Sequence, residues 1–460
     1  MPKRGGFLVK SERSATSEVG TSPRRPRVVI LGGGFAGSSA ALALRKVDAE
    51  VILIDRRNHH IFQPLLYQVA AAVLSPAEIA APIRQLRQRC PNLTVWMAEV
   101  THVDLDNNVL TLSASGLPER TLHFDYLVVA AGVRPTYFGH NEFAPFAPGL
   151  KSIADAEFIR SKVLSAYEFA EQCEDPIARS RALTFVLVGA GPTGVELAAS
   201  IAQMARITLR RNFARIEPSD TKIVLLEGAT RVLGSFHPSL SERAKDQLEK
   251  LGVEVRTDTI VQSVDANGVT LPNGRLESST VLWTAGVQGA SILASLETKT
   301  DRAGRILVGP SLSLEQHPDV YVAGDAAVFM QDGKPVPGVA QAALQQGRYA
   351  GQCIAAQIRK QPLTAPFRYH DRGNMAVIGK NFALIERGSL RSSGVLVWWL
   401  WAVLHVLFLP QFQNRMRVFT QWFWSYLTGQ RSSRIIAENA PNQSSGAVAS
   451  KATTWSERAP

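Results

Sequence analysis

Cysteine is nearly missing from this 460-residue chain: Cys90, Cys173 and Cys353 stand singly and far apart. No pair has the short spacing of a redox disulfide or a metal knuckle, which argues against iron–sulfur chemistry, and no metal site is expected. Long apolar runs are missing too. The most apolar stretch, residues 394–409 (GVLVWWLWAVLHVLFL), is shorter than the roughly 20 residues of a perpendicular membrane span. The opening residues contain no apolar segment of the kind a secretory signal needs. Lys and Arg outnumber Asp and Glu by 50 to 39, yet no single basic block of the nucleic-acid-binding kind occurs. The excess gathers in the leader before Arg27 and around Arg415, Arg417, Arg431 and Arg434, which favours an anionic membrane surface over nucleic acid.

What is present is a chain 45% hydrophobic, long enough for two to three domains with a sizeable core. Residues 1–26 are expected to form a disordered basic tail. At Arg27 a strand-like run leads into Gly32-Gly33-Gly34-Phe35-Ala36-Gly37 and then an Ala/Leu-rich helix. In such a loop Gly32 permits the turn, Gly34 lets a pyrophosphate approach the backbone, and Gly37 lets helix pack on strand. The next strand, EVILID, ends in Asp55, an acid placed for a ribose hydroxyl. The pattern recurs as Gly189-Ala190-Gly191-Pro192-Thr193-Gly194 before a second helix, with Glu227 ending the following strand. A carboxylate there accepts from the 2′-hydroxyl of NADH and repels the 2′-phosphate of NADPH. Two further runs, FDYLVVAAG and TVLWTAG, close on the same Ala-Gly pair and add Ala131 and Gly286 to the cofactor-contacting candidates.

Two nucleotide sites in one chain imply two nucleotides. Asp325, in VYVAGDAA at a strand-to-helix junction, is placed to hold a ribityl chain, so the flavin unit must resume after the second glycine loop. The expected fold is therefore α/β with two Rossmann-like domains, the FAD domain discontinuous and the NADH domain inserted in it. Its parts are 27–180 for the first FAD half, 181–299 for the NADH domain, 300–392 for the second FAD half with an acceptor site, and 393–436 for a helical membrane anchor. In the anchor, Phe412, Met416, Phe419, Phe423 and Tyr426 recur at helical spacing behind the apolar run, as in an amphipathic helix. Residues 437–460 are expected to be disordered.

From Arg27 to about Arg434 the chain resembles a type II NADH:quinone oxidoreductase, the single-subunit respiratory dehydrogenase that does not pump protons. The resemblance rests on VVILGGGFAGSSAALAL, NHHIFQPLLYQVAAAVLSPAEIAAPIR, VGAGPTGVELA, VYVAGDAA and AQAALQQGRYAG, the second and last being the more specific. It implies hydride transfer from NADH to a non-covalent FAD, then two electrons to a membrane quinone. It also implies that Gln341 and Gln345 face the quinone, that Glu196 relays a proton or orients substrate, and that Lys380 closes the flavin pocket. A monotopic protein on the cytoplasmic face of the membrane follows, bound to the bilayer surface, with a homodimer left open. Competing readings are an NADPH-preferring naphthoquinone reductase, a sulfide:quinone oxidoreductase-like enzyme, disfavoured by the scattered cysteines, and a membrane-associated flavin-binding sensor.

Overall fold

The computed structural model describes residues 24–362 and 365–436; apart from 24–26, the two expected tails lie outside the described residues. Buried β-branched and leucine runs make the first sheet. Strands β1 (Arg27–Leu31) and β2 (Glu50–Asp55) flank helix α1 (Phe35–Leu44), followed by β3 (Leu93–Met97) and β4 (Tyr126–Val129). A long helix, α2 (Ile153–Gln172), is opened by a Ser152–Asp155 capping box and leads to the second unit. There β5 (Thr184–Val188) precedes helix α3 (Pro192–Gln203), followed by β6 (Lys222–Leu226), β7 (Val253–Arg256) and β8 (Thr280–Trp283).

Strand β9 (Val320–Val322) then returns to the first sheet, whose order is β9-β4-β1-β2-β3, while the second sheet runs β7-β6-β5-β8. All pairings in both are parallel. Such strands are buried on both faces by crossover helices, which is why they read as unbroken apolar runs. The return of β9 makes the first unit discontinuous. An antiparallel ribbon, Val133–Pro135 against Val287–Gly289, joins the two units.

Helix α4 (Ala340–Ile358) packs across α1 through small residues: a side chain at Gly347 would strike the Ala36 backbone, and one at Gly351 would meet Ala40. A three-stranded antiparallel sheet follows, β10 (Asn374–Val377), β11 (Ala383–Arg387) and β12 (Leu390–Gly394). Two helices close the described chain, α5 (Val395–Phe408) and α6 (Phe412–Thr428). Among the described residues no helix is long and apolar enough to cross a membrane.

The last two helices belong to the body of the molecule. Val397, Trp401 and Val418 share one apolar cluster with Leu65, Tyr167, Ile201 and Leu384. Polar contacts pin them as well. Asn414 donates to the Ala80 carbonyl at 3.0 Å and Trp422 Nε1 to Gln68 Oε1 at 2.8 Å. Beyond α6 the buried guanidinium of Arg431 donates to the carbonyls of Ala71 at 2.7 Å and Ser200 at 3.0 Å, tying both units to the C-terminal segment.

Candidate active site

The two glycine loops have the same internal wiring. Gly32 and Gly189 have φ of +104° and +99°, a region open to glycine, and an added side chain would strike Ala130 in one loop and Ala285 in the other. A side chain at Gly37 or Gly194 would hit the carbonyl of its loop's first glycine, whereas Gly34 and Gly191 face nothing within 4 Å. Each loop thus packs its outer glycines and leaves the middle one open at a helix N-terminus, the place where a pyrophosphate is received. Asp55 accepts from Gly33 N at 2.7 Å and Arg57 N at 2.8 Å. Glu227 accepts from Ala190 N at 2.6 Å and Ala229 N at 2.9 Å. Each acid is held at its strand end by the second residue of its own loop. Gly132 and Gly286, after Ala131 and Ala285, match as well, with φ of +70° and +71°.

The first unit carries unmet polar groups suited to a flavin dinucleotide. Arg57 Nε, His59 Nε2 and His60 Nδ1 are buried without a hydrogen-bond partner just after Asp55. Burial lowers the pKa of His59 and brings that of His60 down to about 4, so both rings are neutral and can accept from hydroxyls. Unpartnered buried nitrogens are costly, and a ligand rich in hydroxyl and phosphate groups would satisfy them. Asp325 lies in the short turn Gly324–Ala326, facing the start of α4, and Gln346 fixes that turn by accepting from Gly324 N at 2.7 Å. Ala36, Ala130, Ala323 and Ala343 cluster at the junction, with Phe35 packed against them. The residues fit FAD.

A cavity of about 150 Å³ lies between α3, the β10 segment and the C-terminal helices. Glu196, one turn into α3, lines it with Tyr67, Gln68 and Arg431, while Trp398 and Tyr426 belong to the C-terminal helices around it. Among the described residues Glu196 accepts one long bond, 3.3 Å from Val377 N. Shielding from bulk water raises its pKa to about 8, so it is a carboxylic acid at neutral pH. Lys380 is also on the cavity wall, but its ammonium donates to the Tyr426 carbonyl at 2.8 Å and stands 3.9 Å over the Tyr426 ring.

Gln341 and Gln345 share a face of α4, and both amides are engaged by backbone. Gln341 bonds Gly373 O at 2.9 Å and Arg372 N at 3.0 Å; Gln345 bonds His370 O and N, both at 3.0 Å. They anchor the segment that runs on to Val377 and Glu196. Tyr67, Gln68 and Gln346 were not singled out by sequence reasoning, and Arg431, expected among the basic residues facing a membrane surface, is instead buried against the Ala71 and Ser200 carbonyls. Gln346 stands beside Gln345 in a recognised motif, but its partner Gly324 is visible only in three dimensions.

Comparison with known proteins agrees with this geometry. The family profile described as pyridine nucleotide-disulphide oxidoreductase matches residues 26–347. A type II NADH:quinone oxidoreductase of Mycobacterium tuberculosis is 40% identical over 427 residues, covering 90% of this chain and 91% of that protein. A mitochondrial internal alternative NAD(P)H-ubiquinone oxidoreductase of Arabidopsis thaliana is 29% identical, covering 89% and 86%. The structure of NDH2 from Plasmodium falciparum in complex with NADH superposes with a TM-score of 0.82 at 19% identity, over 90% of this chain and all of that one.

Proposed function

Since this chain belongs to the pyridine nucleotide-disulphide oxidoreductases and, among them, to the type II NADH:quinone oxidoreductases, we propose that its two glycine loops and its cavity are the stations of one electron path. The enzyme oxidises NADH and reduces quinone without pumping protons. FAD, when bound, supplies the two-electron relay between nicotinamide and quinone. Gly32, Gly34, Gly37, Asp55, Ala131 and Asp325 hold the flavin dinucleotide; Gly189, Gly191, Gly194, Glu227 and Gly286 hold NADH. The duplicated loop-and-acid wiring, with the open middle glycine in each loop, is the observation that carries this reading.

The quinone headgroup occupies the cavity at Glu196. The aromatic residues of α5 and α6 support this reading, because the same helices present an apolar outer face to a bilayer. Leu396, Trp399, Val403, Phe412, Phe423 and Leu427 are all exposed there, and so many large apolar groups on adjacent helices suit a monotopic docking face. Docking on the cytoplasmic leaflet would bring a prenylated quinone to the cavity. Glu196 supplies a proton, Gln341 and Gln345 brace the segment over it, and Lys380 clips α6 against the cavity wall.

Steady-state oxidation of NADH and NADPH, with and without a soluble quinone, tests the reading. Sustained quinone-dependent turnover, faster with NADH, is expected. Flavin reduction without turnover would identify a sensor instead.

A further inference from the structure

Reduction of quinone by NADH needs one proton beyond the hydride: NADH, H⁺ and quinone become NAD⁺ and hydroquinone. The cavity holds a second proton-bearing group besides Glu196, and its hydrogen-bond directions can be fixed. Tyr67 is buried on the short helix Leu66–Ala70 and lines the cavity. Trp422 Nε1 can only donate, so Gln68 must present its oxygen to the indole at 2.8 Å and its amide nitrogen to the Tyr67 oxygen at 3.0 Å. The Tyr67 oxygen is therefore an acceptor in this chain of bonds. Its own O–H hydrogen finds no acceptor among the described residues.

We propose that Tyr67 hands the proton to a quinone oxygen in this cavity, aimed by Gln68 and Trp422 and reloaded by Glu196. The proposal rests on reading the cavity as the quinone site. As the two electrons reach the quinone, the Tyr67 O–H bond breaks and an O–H bond forms on the quinone oxygen. The Glu196 proton passes to the Tyr67 oxygen, and the resulting carboxylate regains a proton from solvent. Burial and the nearby Glu196 both hold the phenol well above its ordinary pKa, so it is a neutral donor and not a base. Arg431, within electrostatic reach of Tyr67 and in no ion pair among the described residues, adds positive potential. That potential favours the moment when the phenol proton has left and its replacement has not arrived.

The test uses full-length holoenzyme, a short-tail benzoquinone, and ferricyanide, which takes electrons without protons. Tyr67→Phe keeps the ring in its packing and removes only the hydroxyl. It should slow flavin reoxidation by the quinone roughly 10²-fold, the usual worth of a positioned general acid, with the rate constant falling and not only KM rising. Reoxidation by ferricyanide should stay at the wild-type rate. A wild-type quinone rate in Tyr67→Phe, a change in KM alone, or equal slowing with both acceptors would overturn the proposal. Trp422→Phe, which frees Gln68, should give a smaller loss of the same selectivity. Should Tyr67→Phe fail to retain flavin, the wild-type enzyme still decides: quinone reoxidation must slow in D₂O while ferricyanide reoxidation does not, and the lack of that difference overturns the assignment. Ser425→Trp, which fills the cavity, separates the two levels. If it leaves quinone kinetics untouched, the cavity is not the quinone site; if it blocks quinone while Tyr67→Phe does nothing, only the role of Tyr67 fails.

Discussion

Burial makes Glu196 a carboxylic acid where an ordinary glutamate would be charged. Its folded pKa of about 8 stands against 4.5 for an ordinary glutamate, so between those values the folded protein keeps a proton that the unfolded chain has lost. Stability therefore falls as pH rises through that window. The total is of order 4–5 kcal/mol, and an upper bound, since water can enter the cavity. Glu196→Gln removes the titration. Its melting temperature should exceed that of the wild type at pH 8.5 and converge with it near pH 5; parallel curves across that range would show that Glu196 is ionised at neutral pH. Glu227 poses a question of selectivity. Its two oxygens each take one backbone N–H, so Glu227→Gln both removes the charge facing a 2′-phosphate and turns an NH₂ toward one of those donors. KM for NADH should rise. The NADPH to NADH ratio of kcat/KM should rise about tenfold, equivalent to ~1.4 kcal/mol of relieved repulsion, and an unchanged ratio would mean the carboxylate does not face the ribose. Glu227 could be found in the sequence because it closes a local pattern of strand, glycine loop and helix, and Glu196 only through the family resemblance. The site roles of Gln68 and Arg431 were not legible, because their partners lie hundreds of positions away: 354 residues separate Gln68 from Trp422 and 360 separate Arg431 from Ala71.

At the level of elements, the strand and helix pattern was legible for a physical reason. Parallel strands covered on both faces must be continuously apolar, and a pyrophosphate-binding turn must have glycine where backbone meets backbone. The helices over 394–427 were legible as helices, but which face is buried was not, since α5 is apolar all round. The structure turns Val397, Trp401 and Ala402 inward and Leu396, Trp399 and Leu400 outward. Nor could the sequence show that these helices are bolted to the body through Asn414, Trp422 and Arg431. The crossing of α1 and α4 was hidden too, although its glycines lie inside AQAALQQGRYAG. A Cβ at Gly347 would meet the Ala36 backbone, which cannot move aside as a flexible side chain would. Gly347→Val should therefore push α4 from α1, cost about 1–3 kcal/mol or more, and loosen FAD. A lower melting temperature and flavin lost on desalting are expected; full retention of flavin with an unchanged melt would show that the crossing tolerates the added volume.

For the molecule as a whole, the decisive relation is between the electron path and the outer apolar face, because a quinone with a long prenyl tail stays in the bilayer. Helix α5 has 14 residues and α6 has 17. At 1.5 Å per residue these are about 21 and 26 Å, short of the ~30 Å hydrocarbon core. The pair also gives its inner face to the protein core, so in the docking arrangement proposed above it would lie on one leaflet with its outer side chains immersed. The exposed Trp399 and Trp424 suit the interfacial level, while Trp401 belongs to the core. Deleting the pair would be a poor test of this, because Trp401 and Val418 belong to the main core and Arg431 follows directly. Changing only the outer face is cleaner. Leu396 is 84% exposed and Phe423 58%, so Leu396→Glu with Phe423→Glu should leave the fold and melting temperature unaltered while placing two carboxylates against lipid. The double variant is expected to float free of anionic liposomes in a sedimentation assay. It should reduce a short-tail quinone in solution at the wild-type rate and lose turnover with a long-tail quinone embedded in liposomes. Continued co-sedimentation after salt washing would place the docking face elsewhere. Equal loss with both quinones would mean that these helices serve the cavity itself and not its approach to the membrane.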